Sequence, residues 1–379
     1  MLIVHVSDCY APRTGGIESQ VGDLAARQAA AGHDVHVLTA TLGVGGERGG
    51  VVDLEDGVHV HRLGARIPFD LPVNPVGPRL VRSAFAELRP DVVHVHAGVL
   101  SPFAYDGARI ALDLGLPTAI TWHCMLDGVV GALRTLVQRT RWQRTPAALS
   151  AVSHAAAARV GEVFDADVSV MPNGIDLDLW APTSLAQGRG RPGERGPLRL
   201  VSTMRLAPRK RAVPLIELVG AAARRLPPDR LRLSVIGSGP AQGRVASAVA
   251  GQGLQHVVEL RGRLTRPQVR AAYTDSDVFL APAELEAFGI AALEARTAGL
   301  AVVARRGTGI AEFVEDGIDG LLVSDDAEMT EAIVHLARDS RLLDGMLAHN
   351  RVVRPAFGWD DVLGAAEAEY SRARDLARV

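Results

Sequence analysis

The sequence predicts an α/β protein built as two parallel-sheet halves, and three observations carry that expectation. Short Val- and Ile-rich runs alternate with longer helix-period segments along nearly the whole chain. The short runs are continuously apolar rather than alternating, as parallel strands covered on both faces are. One stretch, Ala181–Pro197 (APTSLAQGRGRPGERGP), interrupts the rhythm with Gly, Pro and Arg and no hydrophobic period, after which the alternation restarts.

In chain order, Leu2–Ser7, Asp34–Thr39, Val58–Leu63, Asp91–His96 and Thr118–Trp122 read as strands. Ile17–Ala31, Arg79–Leu88, Ala104–Leu114 and Val129–Arg144 read as helices between and after them. Beyond the interruption come strands Leu198–Met204, Leu231–Ile236, Val257–Leu260, Val278–Leu280, Ala301–Ala304 and Leu321–Val323, again with helices between. Trp359–Val379 reads as an amphipathic, solvent-faced helix. The expected division is a first domain over 1–180, a linker over 181–197, a second domain over 198–356 and a terminal helix over 357–379. A chain of 379 residues suits two domains, since single cores tend to split beyond about 250–300 residues. Two such halves make a hinged cleft the expected active-site location.

Composition narrows the function classes. With 47% hydrophobic and 22% charged residues, the chain belongs with packed proteins rather than disordered ones. Lys+Arg 41 against Asp+Glu 43 leaves a net charge of -2, which gives no overall attraction for nucleic acid. Two cysteines, Cys9 and Cys124, build no disulfide framework and suit a reducing cytoplasm. Met1–Val6 enters a strand directly, without the marks of a secretion signal, and no run reaches the roughly 18 apolar residues of a spanning helix.

The segment 281–303 (APAELEAFGIAALEARTAGLAVV) carries the most chemistry. Glu286 falls in a loop after a strand, and Gly289 opens a helix with Glu294 in its second turn. The free N–H groups of that helix start suit a diphosphate, and the carboxylates suit sugar and ribose hydroxyls. On spacing alone, solvated surface acids explain the pair as well. Met204–Arg211 (MRLAPRKR) follows the first strand of the second half and sets cations where parallel sheets bind ligands. Cations at a helix N-terminus oppose its dipole, which points to an anion bound there. Gly237-Ser238-Gly239-Pro240 is a glycine turn after a strand, and Tyr10–Glu18 places Gly15-Gly16 before a helix, as an anion nest or a plain turn.

These pieces, in this order, resemble the family-4 retaining glycosyltransferases of the GT-B architecture. The resemblance rests on Gly15-Gly16-Ile17-Glu18, Thr121-Trp122-His123, Pro172-Asn173-Gly174-Ile175-Asp176, Arg205 with Lys210, Gly237-Ser238-Gly239-Pro240, Glu286 and Glu294 around Phe288-Gly289, and Gly317–Val323. It covers nearly the whole chain. It implies two Rossmann-like domains facing a cleft, with the terminal helix crossing back to the first domain. It also implies transfer of a hexose-type sugar from a nucleotide-diphosphate donor, UDP ahead of GDP, by same-face displacement. Arg205 and Lys210 would hold the diphosphate, Glu294 the ribose and Glu286 the sugar. Backbone N–H groups of Phe288, Gly289, Ile290 and Ala291 would help, with Gly15, Gly16 and Gly237 also on the donor side. His123 would stand near the reacting centre, and Tyr10, Gly16 and His96 on the acceptor side. The family motif usually has Gly where this chain has Met204 and Arg211, which puts the shape of that loop in question.

Asp176-Leu177-Asp178 and Asp275-Ser276-Asp277 match a metal-binding Asp-x-Asp pattern but lie at element boundaries, so no metal and no tightly bound cofactor are expected. His94 with His96, and His59 with His61, are strand histidines without a third ligand at zinc spacing, read here as strand-end residues. Arg134, Arg139, Arg141, Trp142 and Arg144 give one helix a basic face, which leaves a peripheral membrane role or a lipid acceptor open beside small molecules and glycans. The rival readings are a sugar-nucleotide 2-epimerase, which would act without acceptor, and a non-catalytic nucleotide-sugar-binding protein.

Overall fold

The computed structural model describes residues 1–13, 15–65, 74–140, 142, 146–182 and 196–378. They divide into two units, one of Met1–Gly174 with Trp359–Val379 and one of Ile175–Gly358. The chain therefore leaves the first unit at Gly174 rather than at 180. Asp176 caps the short helix Leu177–Trp180, and Trp180 packs on Tyr273 at 5.7 Å, which ties this segment to the second unit. Most of the expected linker, 183–195, lies outside the described residues.

The first unit holds an eight-stranded sheet. Its strands are β1 (Leu2–Ser7), β2 (Asp34–Thr39), β3 (Val51–Glu55), β4 (Val58–Arg62), β5 (Val92–Ala97), β6 (Thr118–Trp122), β7 (Ala148–Ala151) and β8 (Ser169–Val170). Their order is β3-β4-β2-β1-β5-β6-β7-β8, with only β3 antiparallel, against β4. The helices are α1 (Gly16–Ala30), α2 (Gly77–Leu88), α3 (Pro102–Asp113), α4 (Val130–Gln138) and α5 (His154–Phe164). Val35, Val37, Val58 and Val60 pack with Val21 and Ala25 of α1, while Val4, Val6, Val93 and Val95 pack with Phe85, Phe103 and Ala104 of α2 and α3. Burial on both faces explains why these strands read as continuous apolar runs.

The second unit begins with α6 (Leu177–Trp180) and holds β9 (Leu198–Thr203), β10 (Leu231–Ile236), β11 (Val258–Gly262), β12 (Val278–Ala281), β13 (Ala301–Arg305) and β14 (Gly320–Val323). All are parallel, in the order β11-β10-β9-β12-β13-β14. Counted from β9 this is the dinucleotide-fold order 3-2-1-4-5-6, whose switch point lies between β9 and β12. Helices α7 (Ala212–Ala223), α8 (Gln242–Gly251), α9 (Arg266–Thr274), α10 (Ile290–Thr297), α11 (Asp326–Arg338) and α12 (Ser340–Val352) complete it.

The last helix, α13 (Trp359–Leu376), belongs to the first unit. One face is buried, not solvated: Trp359, Val362, Ala366, Tyr370 and Ala373 pack on Ile3, Val92, Ala119 and Ala148. A Cβ on Gly174 would meet the Trp359 ring at 2.9 Å, and Gln20 grips the same residue, donating to its carbonyl at 2.8 Å and accepting from its N–H at 2.9 Å. Helix α4 ends at Gln138, short of the expected Arg144. Trp142 is half-buried, edge-on to Tyr105 at 6.5 Å. Arg134 and Arg139 are exposed, and Arg141 and Arg144 lie outside the described residues. No described helix is long and apolar enough to cross a membrane.

Candidate active site

In the second unit, the loops leaving β9 and β12 gather most of the expected donor residues on the two sides of the switch point. After β9, Arg205 is exposed, and a 3-10 turn over Pro208–Lys210 presents Lys210. After β12, Glu286 meets the Lys210 ammonium in a short ion pair, with each side chain about a fifth exposed. Arg211 adopts φ 60, in the left-handed region that glycine takes without strain. That explains why glycine is usual there and what its absence requires. Arg211 is held by Glu284 at 2.8 Å and by both oxygens of Asp326 at 2.8 and 2.6 Å. Arg305, at the end of β13, shares Asp326. Glu284, Arg305 and Asp326 carry no motif, and sequence reading missed them.

The glycine turn serves a packing purpose. A Cβ on Gly237 would lie 1.9 Å from the Met204 carbonyl oxygen, and one on Gly239 would lie 2.5 Å from that of Leu206. The Leu206 N–H donates to the Ser238 carbonyl at 3.0 Å, so this turn supports the loop that carries Arg205.

Gly289 caps α10 at φ 91, where a Cβ would strike Ile310 at 2.5 Å. The N–H groups of Ile290 and Ala291 stand in the first turn, where no carbonyl of the helix can reach them. Phe288 contributes backbone only, since its ring is buried against Phe313 and Phe357, each at 5.5 Å. Glu294 is half-buried. Behind it the Tyr273 hydroxyl donates to the Ala291 carbonyl at 3.3 Å, and burial, then the Glu294 charge, pushes that phenol well up.

In the first unit, Gly15 is the N-cap of α1 with extended backbone, and Gly16 is its first residue. His123 follows β6, and its Nε2 lies 3.0 Å from Nδ1 of His96. From there a chain of hydrogen bonds runs inward. His96 Nε2 meets His5 Nδ1 at 2.9 Å, and His5 Nε2 donates to the Gln28 carbonyl oxygen at 2.7 Å. The Gln28 amide donates to the Tyr370 hydroxyl at 2.9 Å, which meets His94 Nδ1 at 2.9 Å. His94 Nε2 lies 2.8 Å from Thr121 Oγ1, and Thr121 lies 2.8 Å from Ser150 Oγ. With the Gln28 amide oriented this way, each ring of the chain, when neutral, has one defined tautomer. Burial lowers His123 and His5 to about 4, and holds His94 and His96 well below the ordinary imidazole value, although Asn173 bonded to the His123 ring raises it somewhat.

Two acceptor-side expectations are corrected here. His96 is buried behind His123 rather than lining a surface, and neither it nor His94 is a strand-end residue, since both lie inside β5. Tyr10 is also a core residue, packed with Val21, Val35 and Val60 beneath the Arg62 guanidinium, and burial pushes its phenol up to about 12. The two Asp-x-Asp segments do structural work. Asp176 accepts the Leu179 N–H at 2.9 Å, Asp178 pairs with Arg354 at 2.7 Å, and Asp277 accepts the Arg199 N–H at 3.0 Å.

Two doubly wound units, the first completed by a carboxy-terminal helix after the second is finished, give the chain the GT-B architecture. Residues 14–179 match the model of Glycosyltransferase Family 4 and residues 197–339 that of Glycosyl transferases group 1, and the chain belongs to this family. It is similar to a component of the phosphatidylinositol N-acetylglucosaminyltransferase of Arabidopsis thaliana, 28% identical over 98% of this chain and 82% of that one. It is also similar to a D-inositol 3-phosphate glycosyltransferase of Arthrobacter sp. (strain FB24), 26% identical over 99% of this chain and 94% of that one. Among solved structures, Anabaena HepE in complex with UDP-glucose shares the fold at TM-score 0.75 and 20% identity, covering 98% of this chain and all of the other. The protein is a glycosyltransferase.

Proposed function

We propose that the protein transfers a hexose from a UDP-sugar to an acceptor hydroxyl with retention at the anomeric carbon, and that it needs neither a resident cofactor nor a catalytic metal. The observation that carries this reading is the Lys210–Glu286 pair at the switch point of the second sheet, with Arg205 on the same loop as the lysine. Without donor, the lysine's charge is met by a carboxylate. A diphosphate would take Lys210 and Arg205 for itself and release Glu286 to accept hydrogen bonds from sugar hydroxyls. The N–H groups opening α10 would add fixed dipoles to the same phosphate charge, and Glu294 would hold the ribose.

Cations and dipoles already in place stabilise a leaving diphosphate without reorganising, which supports transfer without a metal. Burial lowers His123 to about 4, which makes its ring a weak base, and it is hydrogen-bonded to His96, so it is suited to positioning a hydroxyl rather than to removing its proton. The departing phosphate oxygen is then the base for the acceptor proton, on the face the donor leaves, and retention follows. His96, His5, Gln28 and Tyr370 would hold the His123 tautomer. The UDP-glucose held by HepE supports UDP as the nucleotide, and the names of the inositol-linked relatives support a polyol hydroxyl, on a small molecule, glycan or lipid, as acceptor.

Calorimetry with UDP, GDP, ADP and dTDP tests this directly. UDP is expected to bind best, and Glu294→Ala to weaken it by about tenfold or more, as loss of hydrogen bonds to a charged group does. Failure of all four to bind would remove the donor site, and preference for another nucleotide would correct the base.

A further inference from the structure

The edge of the first sheet carries a second histidine group, apart from the chain that ends at His123. The register of β2 with β4 sets His36 opposite His59 and Leu38 opposite His61. Strand alternation then places Asp34, His36, His59 and His61 on one face, while Val35, Val37, Val58 and Val60 turn to α1 on the other. The His36 and His59 rings stack at 4.8 Å, and an Asp34 carboxylate oxygen lies 3.2 Å from His36 Nε2. One ligand atom from each of Asp34, His36 and His59 lies within 4.8 Å of the other two.

Two features separate this group from a chance meeting of polar side chains. His36 is buried and its other nitrogen, Nδ1, meets His61 Nε2 at 2.9 Å, the arrangement by which an outer partner fixes the tautomer and aim of a metal-bound imidazole. Asp34 is exposed and His59 half-exposed, which leaves the open side to water. The other histidine trio, His5, His94 and His96, has its ligand atoms equally close, but all six of its ring nitrogens are already hydrogen-bonded in the core. For His59, by contrast, no hydrogen bond is found among the described residues.

We propose that Asp34, His36 and His59 form a binding site for a divalent transition-metal ion of the zinc class, with His61 orienting His36 and water completing the coordination. Imidazole nitrogen with carboxylate oxygen is the donor set such ions prefer. The sequence alone conceals the site because the ligands lie on different strands: His59-Val60-His61 supplies one side, and β2 supplies the rest. The bound ion would tie β2 to β4 beside the antiparallel strand β3. It uses no residue assigned to sugar transfer, so nucleotide binding and ion binding are separable.

The test is zinc titration of the chelator-stripped, full-length protein, followed by calorimetry and by competition with a chromophoric chelator. One ion per chain is expected. Binding should weaken by about 10–100-fold in His61→Phe, which loses only the orienting partner, and more in His59→Ala and Asp34→Asn. UDP binding and circular dichroism should match the parent in all three variants, which confirms that they are folded. Absence of a stoichiometric site in the parent would overturn the proposal. So would undiminished binding in both His59→Ala and Asp34→Asn, because the ion would then be held elsewhere.

Discussion

The two units share a doubly wound topology but fill it differently. The first holds most of the chain's 12 histidines and buries several of them as neutral rings in a hydrogen-bonded chain through its sheet. The second sets buried or half-buried guanidinium groups against carboxylates. Arg296, buried, donates to Asp319 at 2.7 Å, and Arg211 and Arg305 converge on Asp326. The first also buries one guanidinium, Arg62, against Asp53 and Glu55, so the difference is one of emphasis: a chain of neutral rings runs through the first sheet, while guanidinium–carboxylate pairs gather in the second unit.

The sharpest way to break this contrast is to remove a cation from the charged side. Arg205→Ala should lower turnover by on the order of 10²–10³, the cost of losing one preorganised charge at a leaving group. Being exposed, it should move the unfolding free energy by no more than about 0.5 kcal/mol. Unchanged initial rates would remove Arg205 from the donor site.

Acid should separate the units next. A histidine lowered to about 4 in the folded chain, against its ordinary 6.5, contributes its full stability above pH 6.5 and loses it as pH falls toward 4. For the fully buried His5 alone the loss at pH 5 is ~2 kcal/mol. Asp8, which accepts the Phe103 and Ala104 N–H groups and is raised to about 6 chiefly by burial, works in the opposite sense. It is one group against several. Between pH 7 and pH 5, the protection factors of β5 amides, corrected for the slower intrinsic exchange in acid, should therefore fall much more than those of β9 and β12. An equal fall in both units would mean that the rings titrate without cost to the fold.

The smallest effect sharpens the comparison within the first unit. Tyr370→Phe removes a hydroxyl bonded to both Gln28 and His94 and should cost about 1–3 kcal/mol in urea unfolding. UDP binding by the second unit should stay at the parent value, and a matching loss of nucleotide affinity would show that the networks are not independent.

Much of this was legible in the chain. β1, β2, β6 and β10 have the ends their apolar runs predict, because burial on both faces writes itself into consecutive residues. β3 was missed although Asp56-Gly57, at φ 48 and 80, carries the hairpin signal beside it; its exposed Val51, Val52 and Leu54 lack the continuous pattern of the inner strands. β7 (ALSA) was missed because small residues fill it. Lys210 and Glu286, chosen from separate local motifs, meet in one ion pair. The positions of Tyr10 and His96 were not legible, since what buries them comes from other elements. Gln28 and Tyr370 meet across 342 residues, a separation at which no spacing rule speaks.

The placement of α13 bears on how the molecule is made. The second unit is one uninterrupted stretch, Ile175–Gly358, and can fold as it leaves the ribosome. The first cannot close its core until Tyr370 has been synthesised, because His94 and Gln28 wait for that hydroxyl and Ile3, Val92 and Ala148 for the face around it. The half of the chain translated first is thus the half completed last, and a nascent chain stalled before Trp359 would present an open sheet to the chaperones around it.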